Sequence, residues 1–290
     1  MKYAYYPGCS LHSTAKEYNQ SAKEIAKTLG IELEEIEDWN CCGATSAHSM
    51  NKELSIALPL RNVARAESMG LDVVAPCAAC FSRLKGADSA VKDDPDMQKL
   101  MAEKYGIEYN GTIKVHSLLS AIHVLGDEAI KAQVKRELTG LKVACYYGCL
   151  LLRPPSMVGF DDAENPTSLD SIMADLGAEP VEWGYKNECC GASLSLSKPE
   201  IVVKLTRDIL SSARRAGAEC IVTACPLCQA NLDTRQSDIE KKYGEKFDIP
   251  VFYFTQLMGL AFGSWPGHLG LSKLMVNPEP VLQGLVSKGE

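Results

Sequence analysis

Residues 4–9 read Ala-Tyr-Tyr-Pro-Gly-Cys and residues 144–149 read Ala-Cys-Tyr-Tyr-Gly-Cys, six matched positions at a spacing of 140 with no gap. Each stretch closes an apolar, strand-like run, over residues 2–6 in the first case and 141–147 in the second. Both copies continue with a Cys-Cys-Gly triplet and then a Cys-x-x-Cys. The first set of cysteines is Cys9, Cys41, Cys42, Cys77 and Cys80, and the second is Cys149, Cys189, Cys190, Cys225 and Cys228. In each, 34 residues lie between the second member of the pair and the Cys-x-x-Cys. The chain therefore reads as a duplication, with expected domains at residues 1–140 and 141–290.

From the Cys-Cys pair onward the spacing rises to 148, as Cys41 to Cys189 and Cys80 to Cys228 show. The eight extra residues (148 − 140) fall between Cys149 and Cys189. There, residues 151–168, LLRPPSMVGFDDAENPTS, lack periodicity and are rich in Pro, Asp and Asn, the composition of a loop. The alignment also sets two of the twelve cysteines aside: Cys145 stands opposite Tyr5, and Cys220 opposite Asp72 or a neighbour. Both occupy apolar runs, where a buried thiol behaves as a small hydrophobe.

Each half alternates strands with helices. In the first, the pattern predicts a helix over 13–29 ending at Gly30, a half-exposed strand over 31–37, a helix over 46–69 and a buried strand over 71–75. In the second, it predicts a helix over 168–176, strands over 179–183 and 221–224, and a helix over 199–216. Both halves close alike, with IKVHSLLSAI at 113–122 answering PVFYFTQLMGL at 250–260. This is the pattern of an α/β fold in two tandem copies with mainly parallel sheets. Cys9, Cys77, Cys149 and Cys225 each follow directly on a predicted strand, and ligand sites in open α/β sheets lie at the carboxyl ends of strands. The triplets precede helices, whose N-termini stabilise thiolates. All five sulfurs of a copy thus converge on one sheet edge.

Five thiols exceed what a tetrahedral zinc site or an ordinary four-iron cube takes from the protein. Adjacent cysteines are poor disulfide partners, because Cα atoms about 3.8 Å apart lie closer than disulfide geometry prefers. Zinc would leave one thiolate spare, whereas an iron–sulfur cluster with more than four protein thiolates accounts for all five. The 290 residues, 46% hydrophobic and 23% charged, suffice for two globular domains with a core each. A net charge of −7 argues against a broad nucleic-acid footprint. The N-terminus carries no signal-peptide run, and the most apolar stretch, residues 251–263, is shorter than the ~20 residues a membrane span needs. The expected setting is cytoplasmic, where clustered cysteines bind metal or do redox work rather than staple a fold. The sequence holds no GxGxxG, no P-loop and no C-x2-C-x2-C, so electrons have to come from partners.

The repeated Cys…Cys-Cys-Gly…Cys-x-x-Cys pattern resembles the cysteine-rich (CCG) domain. Two copies in a chain of this length, followed by LGLSKLMVNPEPVL at 269–282, are similar to the B subunit of the heterodisulfide reductases of methanogenesis. The resemblance implies two noncubane 4Fe–4S clusters facing each other across the domain interface. Cys9, Cys41, Cys42, Cys77 and Cys80 would bind one, and Cys149, Cys189, Cys190, Cys225 and Cys228 the other. It further implies an oxidoreductase that reduces the coenzyme M–coenzyme B heterodisulfide to two thiols at the clusters themselves, with no protein nucleophile. Electrons would arrive from the iron–sulfur and flavin subunits of a multisubunit heterodisulfide reductase complex, with a hydrogenase or formate dehydrogenase upstream. Because the domain also occurs in lactate, glycolate and succinate oxidoreductases, an electron-transfer component of such a complex is the alternative. A third reading is a non-catalytic assembly or membrane-docking module with zinc in one copy and residues 251–263 as its contact surface. The anionic groups of the heterodisulfide call for cations, for which Lys16, Arg83, Lys85, Arg153 and Lys186 are candidates. His12, His48 and His116 are candidate proton donors, each with a plain packing or capping role as the competing explanation.

Overall fold

The computed structural model describes residues 1–44 and 47–287, with side chains for all of these except 47, 48, 286 and 287. Eight strands form two four-stranded sheets, one per half. The first contains β1 (Lys2–Tyr5), β2 (Glu32–Glu35), β3 (Val73–Ala75) and β4 (Val115–Ser117), in the order β2-β1-β3-β4. The second contains β5 (Lys142–Tyr146), β6 (Glu179–Pro180), β7 (Cys220–Thr223) and β8 (Val251–Tyr253), in the order β6-β5-β7-β8. All pairings are parallel. The expected duplicated α/β architecture is the one observed.

Side-chain pattern explains strand position. Val73, Val74 and Ala75 of β3 and all four residues of β7 are buried, as strands covered on both faces have to be. At the edge, β2 alternates exposed acidic residues with half-buried ones, and Lys2 reaches across from β1 to Glu32 at 2.9 Å and Glu34 at 2.8 Å. The helix Lys16–Thr28 buries Tyr18, Ser21, Ala22, Ile25 and Ala26 at the three-to-four spacing of one helical face. It stops where Gly30, at φ +67°, lets Ile31 N–H reach back to Ala26 O and Gly30 N–H to Lys27 O, so the last carbonyls are satisfied.

Three expectations shift on contact with the structure. The helix expected over 13–29 begins only at Lys16, and a separate short helix, Gly8–His12, carries Cys9. The stretch 46–69 is broken at Asn51, whose extended backbone and side chain cap a new helix, Lys52–Ser68, by accepting from Leu54 N–H at 3.0 Å. The strand expected over 179–183 pairs only through Glu179–Pro180, with Glu179 N–H and Val181 N–H donating to Leu141 O and Val143 O on either side of Pro180, whose nitrogen faces away from β5 at the sheet edge. Trp183 instead donates its indole N–H to Cys145 O at 3.2 Å. Cys145 and Cys220 lie fully buried in β5 and β7, as the sequence alignment anticipates.

In the order β2-β1-β3-β4 the chain departs in opposite directions from β1 and β3, leaving a crevice at their carboxyl ends. Cys9 and Cys77 follow those two strands, and Cys149 and Cys225 follow β5 and β7. The halves then pack crevice to crevice. The helix Lys16–Thr28 lies against Phe254–Ala261, and its counterpart Ser168–Asp175 lies against Leu118–His123, an approximate two-fold exchange. Ser21 and Thr255 share a 2.6 Å hydroxyl hydrogen bond across this contact, and the Tyr18 and Tyr253 rings stack at 4.1 Å. The insertion after Cys149 adds a one-sided contact. Its short helix Pro155–Val158 packs on Ala78–Lys92, with Met157 against Gly86, and Phe160 meets His123 edge-on at 5.8 Å.

Candidate metal centre

The inner cysteines of the two sets come together in the same way. Cys77 and Cys225 are the N-cap residues of the helices Ala78–Lys92 and Pro226–Thr234, and Cys80 and Cys228 lie in their first turns. The Cys42 and Cys80 sulfurs approach to 3.4 Å, and Cys190 and Cys228 to 3.5 Å. Cys149 and Cys189 stand 3.8 Å apart. Gly43 N–H points at Cys41 Sγ at 3.5 Å and Gly191 N–H at Cys189 Sγ at 3.3 Å, so each triplet glycine supplies a backbone donor to its first cysteine. In both sets the pair's second member and the Cys-x-x-Cys are buried, while Cys9, Cys41 and Cys189 are exposed and Cys149 half-exposed.

The supports beneath the sulfurs are duplicated too. Tyr6 donates its hydroxyl to Asn40 O at 2.8 Å, and Tyr146 to Glu188 O at 2.6 Å, fixing the peptide just before each Cys-Cys pair. Burial first, and then the surrounding thiols of its own set, holds each of these phenols above its ordinary range. Gly8 and Gly148 have φ of +67° and +68°, and a Cβ there would come within 3.0 Å of Cys80 Sγ and 3.2 Å of Cys228 Sγ. Alanine at either position is expected to cost ~1–2 kcal/mol in backbone strain and to lower the metal bound by that set alone. Thermal melts and metal analysis of the two single variants check this, and equal loss from both sets would contradict it.

The two sets meet. Cys77 and Cys225 perturb each other across the interface, so the sulfurs run from Cys42 through Cys80 and Cys77 to Cys225, Cys228 and Cys190. Donation from Cys41 and then Cys80 draws the Cys42 thiol down to about 3. Cys225 is lowered by donation from Cys228 and Cys77, and Cys189 is drawn to about 6 by Cys149. The donors Cys77, Cys80 and Cys228 are pushed up correspondingly. Buried thiolate charge is costly unless a cation compensates it, and a thiolate-bound metal centre supplies that cation. Among the described residues no three His, Cys, Asp or Glu side chains are grouped to hold a single metal ion. Sulfurs brought together in several close pairs instead fit a polynuclear centre with several attachment points.

Beside the second set opens a cavity of about 540 Å³ shared by both halves. Ala44, Ala78, Ala79 and Arg83 line it from the first half, and Tyr147, Cys149, Leu150, Cys189, Cys190, Leu196, Cys225, Leu227 and Cys228 from the second. Of the basic candidates, all of them described, the structure brings only Arg83 to this wall. Lys85 pairs with buried Asp88 at 3.8 Å, and Arg153 with Glu164 at 3.2 Å. Lys186 is buried and held to Asp170 at 2.9 Å. Lys16 sits exposed at a helix start. His12 reaches Glu35 at 3.0 Å and meets the Trp39 ring edge-on, while His116 lies 3.6 Å from Asp72. The His48 side chain lies outside the described residues. Sequence reasoning missed Tyr6, Tyr146, Tyr18 and Asn231 as site residues. The doubled Tyr-Tyr was the available signal for Tyr6 and Tyr146.

Known proteins resemble this chain in sequence and in fold. The model of the cysteine-rich domain (CCG) matches residues 3–85 and again 143–233. The 8-methylmenaquinol:fumarate reductase membrane anchor subunit of Wolinella succinogenes is 37% identical over 277 residues, covering 95% of this chain and 97% of that one. The B subunit of the ferredoxin/F420H2-dependent CoB–CoM heterodisulfide reductase of Methanosarcina acetivorans is 30% identical, covering 94% and 93%. Proteins named as iron–sulfur proteins or subunits match at lower identity, and support iron–sulfur clusters in general. A solved structure, a hypothetical protein from Helicobacter pylori, superposes with a TM-score of 0.75 at 12% identity over 95% of this chain and 52% of its own, a likeness of fold alone. No described helix is long and apolar enough to cross a membrane. With two matched copies, each centred on its five cysteines, the chain belongs to the cysteine-rich (CCG) domain family.

Proposed function

We propose that this chain is the iron–sulfur component at which a quinol-linked reductase complex exchanges two electrons with its carrier, with one noncubane 4Fe–4S cluster on each set of five cysteines. The observation that carries this reading is the character of the shared cavity, whose wall among the described residues is mostly alanine, leucine and thiol with Arg83 as the only basic side chain. A heterodisulfide bearing sulfonate, carboxylate and phosphate calls for several cations, and Lys85, Arg153 and Lys186 are tied to carboxylates elsewhere. A quinone is apolar and uncharged, and gathers negative charge on its oxygens only as it is reduced. The relative at 37% identity bears the name of a menaquinol-linked enzyme, which favours the same carrier.

When bound, such clusters supply one-electron steps, and two together meet a two-electron demand. The chain's own residues do the remainder. Ala78, Ala79, Leu150 and Leu227 form an apolar wall against the carrier ring and keep water from it. Arg83 offsets the charge that develops on a carrier oxygen at that wall. Tyr6 and Tyr146 hold the two Cys-Cys peptides in place.

A second reading, the catalytic component of a CoB–CoM heterodisulfide reductase, is favoured by the convergence of Cys77 and Cys225, which gives a disulfide bond seated between the halves a thiol set on either side. One experiment separates the two. The purified iron-loaded protein is given reduced viologen and either a soluble naphthoquinone or the coenzyme M–coenzyme B heterodisulfide. Quinone turnover at least a hundredfold above heterodisulfide turnover is the expected result, and the inverse ratio establishes the second reading. Two such clusters require about eight irons per chain. Four or fewer accompanied by stoichiometric zinc would rule out both readings.

A further inference from the structure

Two buried asparagines hold the Cys-Cys pairs, and they do so from different helices. Asn62, fully buried, lies on Lys52–Ser68. Its amide grips both faces of one residue: Oδ1 accepts from Asn40 N–H at 2.9 Å, and Nδ2 donates to Asn40 O at 3.0 Å. Asn40 directly precedes Cys41, and its own side chain donates onward to Cys41 O at 2.9 Å and to Leu58 O, back on the same helix, at 3.0 Å. In the second half the hold is at the far end of the pair. Asn231, also buried, lies on Pro226–Thr234. Its Nδ2 donates to Cys190 O at 3.2 Å and points at Cys190 Sγ at 3.7 Å, while its Oδ1 accepts from Ser195 Oγ at 3.0 Å. Neither asparagine has a copy in the other half. Eight residues before the positive-φ glycine that follows each helix, Gly70 or Gly217, Asn62 corresponds to Ile209, a buried apolar side chain with nothing to offer a peptide. Three residues past the last cysteine of each set, Asn231 corresponds to Arg83.

We propose that Asn62 and Asn231 are positioning residues, Asn62 aiming Cys41 and Cys42 at the first centre and Asn231 aiming Cys190 at the second, each without effect on the other centre. The inference rests on the reading that each set holds an iron–sulfur cluster. Adjacent cysteines present two sulfurs from one short stretch of backbone, so a rotation of the peptide on either side redirects both. Asn62 fixes the peptide that enters the first pair, and Asn231 the carbonyl that leaves the second. Without its amide partner, a backbone group held away from water is driven to find another, and the pair turns with it. Groups that orient a metal ligand without touching the metal govern how firmly the metal is held, typically by roughly tenfold or more. The Tyr6 and Tyr146 hydroxyls serve both halves alike, whereas the asparagines do not, and that difference makes their effects separable.

The test challenges the iron-loaded protein with a ferrous chelator and follows the release of iron. In Asn62→Leu, which nearly keeps the volume and removes the amide, about half of the iron is expected to leave roughly tenfold faster than in the unaltered protein, and the rest at the unaltered rate. Asn231→Leu is expected to do the same to the other half, and the double variant to both. Cys228→Ser, which keeps the first cysteine set whole, assigns the halves: added Asn62→Leu speeds its release and added Asn231→Leu does not. Asn62→Gln, with its amide one methylene further out, covers the case in which Asn62→Leu does not fold, and shifts the same half by less. A merely structural loss of stability would speed both halves together. That outcome in either single variant, or release unmoved in both, overturns the inference. Iron is counted first in the unaltered protein, where a content below two clusters contradicts the functional proposal and not the roles of the asparagines.

Discussion

Serine in place of Cys80 is expected to strip the first centre from the protein, cutting bound iron to about half and ending two-electron turnover. Cys80 is the inner sulfur of its set: it touches Cys42 Sγ at 3.4 Å, neighbours Cys77, and lies against the Gly8 backbone. An oxygen there is a shorter, harder ligand that is not ionised at neutral pH, whereas iron–sulfur clusters are held by thiolates. The outer cysteines Cys9 and Cys41 are exposed and partly replaceable by solvent, so serine at either should cost less iron than at Cys80. Cys228→Ser is expected to do to the second centre what Cys80→Ser does to the first, given the matching 3.5 Å contact with Cys190. Iron and sulfide assays on the three classes of variant check the order. Equal loss for inner and outer positions would refute it.

The second large effect is expected at Tyr18. This side chain is fully buried between the halves, stacked on Tyr253 at an interplanar angle of 6°. Its hydroxyl is shared between Pro76 O at 3.3 Å and Ala224 O at 3.1 Å, the carbonyls immediately before Cys77 and Cys225. One phenol therefore ties together the two loops where the cysteine sets meet. Tyr18→Ala leaves a ring-sized cavity and frees both carbonyls, and is expected to destabilise the protein by ~3–5 kcal/mol. In a chain of this size that lowers the melting temperature by on the order of 10 °C. Tyr18→Phe keeps the stack and loses only the bridging hydroxyl, for ~1–3 kcal/mol. Calorimetry of the two variants separates packing from bridging, and near-identical losses would show that the hydroxyl, not the ring, holds the joint.

Much of this was legible in the sequence because duplication supplies its own control. The ten cysteines of the two sets recur in matched order while Cys145 and Cys220 do not, and those two prove to be strand-core residues. The strand–helix alternation followed from local patterning, and parallel pairing from that alternation. What the sequence withheld depends on long-range contacts. Lys186 lies near the Cys-Cys motif in the chain, yet it is turned inward onto Asp170, a partner set by tertiary packing. Asn231 sits three residues from Cys228, but nothing local shows that its amide reaches the other cysteine motif at Cys190. What was readable from Pro180 is the edge position of this strand, because a proline fits where its nitrogen faces away from the neighbouring strand.

The insertion that follows Cys149 has a consequence for how such a molecule came to be one chain. Two identical single-copy proteins could form the same tyrosine-stacked, helix-exchanged joint only with strict symmetry, each offering the other whatever it carries. Here the clasp made by Pro155–Val158 and Phe160 reaches from the second half to the first, and nothing of its kind reaches back among the described residues. Once one copy grips and the other is gripped, their roles are no longer interchangeable. Joining them in one polypeptide fixes which is which, and leaves each copy free to vary on its own without a change being imposed on its twin.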